Sequence, residues 1–441
     1  MNCKSIILLI VVLLFWGNAE ARKKKGKKVE EVQTESAYRK FFKGKACETA
    51  KGMITLHKMD GRVYFEIPLA LMGREMLMGS TISEITNNGF GSVGEKPKGL
   101  LYISFVRCDS VISLKQLTAQ YDTNEENLKQ RIKESTIPAT IKNFKITTYN
   151  EDSTAVVIDM TDYLVSADEA IDPFSPWAPI LAGGERVMEK EFRRENSQVV
   201  SIKAFEDNVS VKSSLTYGLS LKNKEMYIFQ REPFTAVMTR SFILLPEHPM
   251  RPRLADPRIA IFSQGVSVFN GDSRGAQARY YAQRWNLEPK DMEQYRKGVL
   301  TEPKKPIVFY VDNTFPENWK KYIKEGVEVW QTAFEKIGFK NAIVARDFPV
   351  DDVTFDPDNL KYSCVRYSPS WVANAMGPSW TDPRTGEIIN ASVYLYHNLV
   401  KMVQNWRFIQ TGPADANVRK IVFDEETLGE CIRYVVSHEI G

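Results

Sequence analysis

Pro306-Ile307-Val308-Phe309-Tyr310-Val311 is a short apolar run of β-branched and aromatic residues, closed by the turn-forming stretch Asp312-Asn313-Thr314-Phe315-Pro316. Such a run predicts a buried strand. From Glu317 the apolar residues Trp319, Ile323, Val327, Trp330, Phe334 and Ile337 return every three or four positions, the spacing of one helix face, and Gly338 supplies a stop. Ala342 to Ala345 (AIVA) then resumes an extended run. A strand, a long helix and a second strand imply a right-handed crossover that sets the two strands side by side in a mostly parallel sheet.

Downstream, Tyr362 to Tyr367 and Ser370 to Met376 read as extended, Asp382-Pro383-Arg384-Thr385-Gly386 as a turn, and Ile388 to Tyr396 as a further strand. A last helix starts at the N-cap Asp424 and carries Leu428, Cys431, Ile432, Val435, Val436 and Ile440 on one stripe. His438 and Glu439 lie off the centre of that stripe. They match the opening of His-Glu-x-x-His, in which histidines four apart share a helix face and can hold one Zn²⁺ beside a glutamate base. The residues end at Gly441, before a second histidine.

Several stretches together resemble the metzincin clan of zinc metallopeptidases, and more closely the large secreted metzincin-like proteases of Bacteroidetes. They are Arg284 to Pro289 (RWNLEP), Pro306 to Asp312, Ala373 to Pro378 (ANAMGP), Asp382 to Ile388 (DPRTGEI) and the final Ser437-His438-Glu439-Ile440-Gly441. In that family the helix continues His-Glu-Ile-Gly-His-x-x-Gly-x-x-His. The resemblance implies that His438 is the first Zn²⁺ ligand and Glu439 the general base. It also implies that Ala373, Asn374 and Ala375 form the edge strand that holds an extended polypeptide substrate by β-augmentation. Phe269-Asn270-Gly271-Asp272 matches a short propeptide pattern in which an aspartate, here Asp272, reaches the metal; a plain Asn-Gly turn is the competing reading.

With only His57, His248, His397 and His438 in the chain, these residues by themselves are expected neither to bind Zn²⁺ tightly nor to cleave peptides. A rival ligand set of His397, Cys364 and Cys431 lacks any Cys-x-x-Cys spacing. Cys431, on the apolar stripe, reads as a packed thiol.

Lys4, the apolar run Ile6 to Trp16 and the small residues of Ala19-Glu20-Ala21 read as a secretory signal, so the protein is expected to be exported, to the periplasm or beyond the cell. No membrane span is expected after cleavage. The leader that follows holds Arg22, Lys23, Lys24, Lys25, Lys27 and Lys28; without them the net charge of +4 becomes −2. The basicity is therefore local, which argues against a nucleic-acid surface; the segment reads as a disordered, solvated leader, with envelope contact as the alternative.

From about residue 60 to 250 short alternating runs dominate, including Val63 to Ile67, Leu100 to Val106, Ala155 to Met160, Val199 to Phe205, Val209 to Tyr217, Met226 to Phe229 and Phe242 to Leu245. Asp122 to Ser135 reads as a helix and Pro246 to Pro257 as an extended connection. The expected architecture is α+β: a signal (1–21), a basic leader (22–35), a β-rich N-terminal domain (36–250), a connecting segment (251–302), and the upper, N-terminal α/β subdomain of a metzincin-like catalytic domain (303–441). The expected function is zinc-dependent endopeptidase. The alternative is a non-catalytic exported binding module on a degenerate peptidase fold.

Overall fold

The computed structural model describes residues 35–271 and 275–441. The expected signal, almost all of the basic leader and Asp272 lie outside the described residues. Strands β1 (Cys47–Ala50), β2 (Thr55–Met59), β3 (Arg62–Pro68), β4 (Met76–Ile85), β5 (Leu101–Cys108) and β6 (Val111–Gln116) come first. After the two-residue β7 (Tyr121–Asp122) follow β8 (Ala139–Tyr149), β9 (Ala155–Asp159), β10 (Arg186–Phe192) and β11 (Gln198–Ala204), then the long arms β12 (Asn208–Asn223) and β13 (Met226–Leu244).

All but β7 join one antiparallel sheet in the order β1-β2-β3-β9-β8-β6-β5-β4-β13-β12-β10, with β11 also paired to β12. The sheet curls until it nearly closes: the Met53 amide donates to the Phe205 carbonyl at 2.7 Å, and the Lys58 ammonium reaches the Val200 carbonyl at 2.6 Å. Alternation gives the curled sheet two different faces. On β13, Ala236, Met238 and Phe242 point into one apolar core with Phe65, Phe105 and Ile158, while Thr239 and Ser241 face outward. Three short helices, α1 (Ala37–Phe42), α2 (Glu126–Ser135) and α3 (Thr161–Leu164), lie in this half. The segment expected to be a plain connection instead folds: β14 (Ser263–Val268) and β15 (Gln277–Ala282) make a hairpin that also pairs with β7, and α4 (Met292–Arg296) follows.

The second sheet begins with β16 (Ile307–Val311), followed by α5 (Glu317–Glu328), α6 (Gln331–Lys336) and β17 (Ile343–Asp347). The helix expected to run unbroken to Ile337 is interrupted by a turn at Val329 and Trp330. Then come β18 (Ser363–Ser368), β19 (Ala375–Met376), β20 (Ser379–Thr381), β21 (Ile388–Tyr396), α7 (Leu399–Thr411) and α8 (Glu425–Ile440). The order is β17-β16-β18-β21, all parallel, with β19 and β20 antiparallel against β21. The molecule is thus a β-rich α+β protein in which the strand–helix–strand reading of 306–345 holds.

A parallel sheet needs cover on both faces. On one face Phe309, Val311, Val365, Val393 and Leu395 pack against Trp319, Ile323 and Val327 of α5 and Ile432, Val435 and Val436 of α8. Helices α5 and α8 cross closely because position 326 is glycine: a Cβ there would stand 2.8 Å from that of Val436. The other face is polar and meets the large sheet. Arg366, almost fully buried, pairs with Asp358 at 3.0 Å and lies 3.6 Å from Asp312; Asp358 also meets Lys212 of β12 at 3.1 Å. Asn359 donates to Asn208 at 2.7 Å, Ser368 to Ser92 at 3.1 Å, and the Lys96 ammonium to the Ser392 hydroxyl.

Burial alone would raise the Asp358 carboxyl, but Arg366 and Lys212 hold it below the ordinary range. A carboxylate depressed in the folded state contributes stability above its unfolded value of about 3.9, lost as pH falls through the folded value. Removing one member of such a pair strands a buried charge. Asp358→Ala is therefore expected to cost about 3–5 kcal/mol in urea unfolding at pH 7, and the deficit should shrink as pH is lowered from about 3.9 toward and through the depressed folded value. A pH-independent deficit would sink this explanation.

Candidate functional site

Helix α8 begins where the sequence places it. The Asp424 side chain accepts the Thr427 amide at 2.8 Å and is salt-bridged to Lys420 at 3.1 Å; these bonds, the Thr427 backbone first, bring its carboxyl down to about 2. Ile432, Val435 and Val436 are buried and Leu428, Cys431 and Ile440 half-buried, so the stripe faces the sheet as expected.

At the other end of the helix, His438 is exposed and Glu439 half-buried, with its carboxyl pushed upward by burial and pulled back in part by His438. Two contacts fix this end. The Trp330 indole N–H donates to the Ser437 carbonyl at 2.9 Å, and Gly377 lies so close to the Glu439 backbone that a Cβ at 377 would stand 2.3 Å from the Glu439 carbonyl oxygen. Neither Trp330 nor Gly377 stands out in the sequence as a site residue. Trp330 reads as part of a helix stripe, and an isolated Gly-Pro pair reads as a turn.

Gly377 directly follows β19, the last strand of the second sheet on that side, which pairs Ala375 with Leu395 and Met376 with Tyr394. The expected edge segment is displaced by about two residues from its reading. Ala373 and Asn374 are exposed and outside the strand, though the Asn374 carbonyl accepts the Tyr396 amide at 3.3 Å, while Ala375 is buried and opens the strand. The structure thus brings His438 and Glu439 to the end of this edge strand. The exposed Trp371 stands just before it.

Other expected groups are not brought there. Among the described residues no group of three His, Cys, Asp or Glu side chains is placed to hold a metal ion. The rival set is dispersed: Cys364 is buried on the polar face beside Arg366, Cys431 lines a groove between α7 and α8, and His397 bonds the Tyr367 hydroxyl at 2.8 Å. Both cysteines are free, and burial pushes the Cys364 thiol up to about 12. The groove, of about 980 Å³, includes Ser437 but neither His438 nor Glu439. Ahead of Asp272, which lies outside the described residues, the Phe269 amide donates to the Asp122 carbonyl at 3.0 Å and the Gly271 amide to Glu125.

Two family models match parts of the chain: a domain of unknown function (DUF5118) over residues 35–85 and another (DUF5117) over residues 96–290. The gap between them falls in the loop whose Ser92 contacts the second sheet. No curated protein and no solved structure matches the chain. No helix among the described residues is long and apolar enough to cross a membrane.

Trp330→Phe, which keeps the ring but deletes the donor, is expected to lower stability by about 1 kcal/mol in urea titration. Gly377→Ala is expected to cost about 1–3 kcal/mol, because only backbone can yield there. A neutral Gly377→Ala would show that the end of α8 is not seated on this strand.

Proposed function

We propose that the chain carries the part of a zinc-dependent endopeptidase that supplies the first metal ligand, His438, and the general base, Glu439. In this reading residues 303–441 are the upper subdomain of a metzincin-like catalytic domain. The observation that carries it is the meeting of the His-Glu pair with the end of an antiparallel edge strand on an otherwise parallel sheet. An extended polypeptide added beside β19 by main-chain hydrogen bonds would run past the end of α8. Glu439 suits proton transfer because its half-buried carboxyl is raised toward the range in which it can accept a proton from water and return it to a leaving amine. The described residues supply a single histidine, His438, to this place, and the reading requires further ligands besides it. In the same reading the chain is exported, and the curled β sheet braces the catalytic sheet from behind.

The test uses the protein expressed from its complete gene and a casein cleavage assay. Glu439→Gln is expected to lower the rate by about 10²–10⁴-fold while leaving the unfolding free energy within about 0.5 kcal/mol of the parent. Unchanged cleavage in Glu439→Gln, or no cleavage and no retained zinc in the parent, would overturn the peptidase reading and favour an exported binding module.

A further inference from the structure

A second cluster of chemistry-bearing side chains lies on β1, β2 and β3 and takes no part in the site above. We propose that Cys47 is a nucleophilic thiol, served by His57 and positioned for exchange with a low-molecular-weight disulfide.

Cys47 opens β1, the edge strand of the large sheet; His57 and Glu66 come from the next two strands inward. The His57 Nε2 atom lies 2.9 Å from Glu66 Oε2, which also accepts the Tyr38 hydroxyl at 2.7 Å. The bond from His57, with help from Tyr38, holds the Glu66 carboxyl below its ordinary range against the effect of burial. An ionised carboxylate there fixes the proton of the neutral imidazole on Nε2 and leaves Nδ1 as the acceptor. Nδ1 faces the Thr49 hydroxyl at 3.0 Å and Cys47 Sγ at 3.9 Å, and the thiol and hydroxyl are themselves 3.6 Å apart.

Exposure divides the roles. His57 is 5% exposed, with the Phe42 ring 4.7 Å from its own, while Cys47 is half-exposed and Thr49 exposed. The base and the positioning carboxylate are sheltered, and the nucleophile can be reached from solvent. Among the described residues the other cysteines lack this arrangement: Cys108 is exposed with the Ser113 hydroxyl against its sulfur, Cys364 is buried, and Cys431 lines the groove between α7 and α8.

The chemistry balances within the cluster. Cys47 gives its proton to His57 Nδ1, and the thiolate attacks one sulfur of the incoming disulfide. A new S–S bond to Cys47 forms, the old one breaks, and the departing sulfur leaves as a thiolate that takes the proton back from His57. Cys47 is oxidised and the departing half reduced, with no further reagent. A disulfide asks less of the site than an acyl group, because the negative charge develops on the leaving sulfur, which the imidazolium can protonate.

The experiment exposes the full chain to oxidised glutathione at neutral pH and follows each cysteine by peptide mass mapping. Cys47 is expected to form the mixed disulfide at least about tenfold faster than Cys108 in the same molecules. His57→Gln and Glu66→Gln are each expected to bring Cys47 down to the Cys108 rate, with Cys108 unchanged and Cys364 still protected, which reports an intact fold. Cys47 reacting no faster than Cys108 in the parent overturns the proposal, as does His57→Gln leaving the Cys47 rate unchanged. Should a variant expose Cys364, the rate ratio in the parent decides alone.

Discussion

The contact on which the rest of the structure depends is the buried pairing of Arg366 with Asp358, and of Asp358 with Lys212. A parallel sheet exposes no face to water, and here α5 and α8 cover only one. The other presents Arg366, Ser368 and Ser392, groups that could not be buried against an apolar layer without heavy cost. The outward face of the large sheet meets them with Lys212, Asn208, Ser83 and Ser241, so most of these groups find partners across the layers, with Arg366 Nε and Asn390 Oδ1 left without a hydrogen bond. The charges contribute less as attraction than as a register device: any slip between the layers would strand at least one of them.

From that lock follows the geometry at the end of α8. Fixing β18 and β21 fixes β19 and β20, which hang from β21 as its antiparallel neighbours. Helix α8 is set independently by its apolar stripe and by the close crossing at Gly326. The two arrive together at Gly377 and Glu439, with Trp330 closing the third side through the Ser437 carbonyl. The end of α8 thus rests on regular elements, as the proton-transferring role proposed for Glu439 would require.

Much of this was legible in the sequence, for identifiable reasons. Ile307, Phe309 and Val311 alternate inward on a buried strand, and the α8 stripe repeats at helical spacing, so periodicity alone located both. The continuous arms of β12 and β13 were not legible past Phe229: Gln230, Arg231, Glu232 and Pro233 show no strand signal, and only pairing such as Gly218 with Pro233 carries the strand through. The hairpin at 263–282 is faint in the sequence because Gln264 stands at an inward position of β14, leaving only Val266 and Val268 to mark the alternation. Arg366, Asp358 and Lys212 read as ordinary solvated charges, since Lys212 and Asp358 lie 146 positions apart and nothing local marks the pairing. Gly377 has the same opacity: its importance lies in what it lets approach.

The interlocking of the two layers is tested most directly by calorimetric unfolding of the whole protein. If the polar layers hold the parallel sheet and the curled sheet as one unit, residues 37–441 melt in a single endotherm whose van't Hoff and calorimetric enthalpies agree. Two resolved endotherms, with the second insensitive to Asp358→Ala, would mean that each layer is stable alone and that the buried pairing holds neither in place.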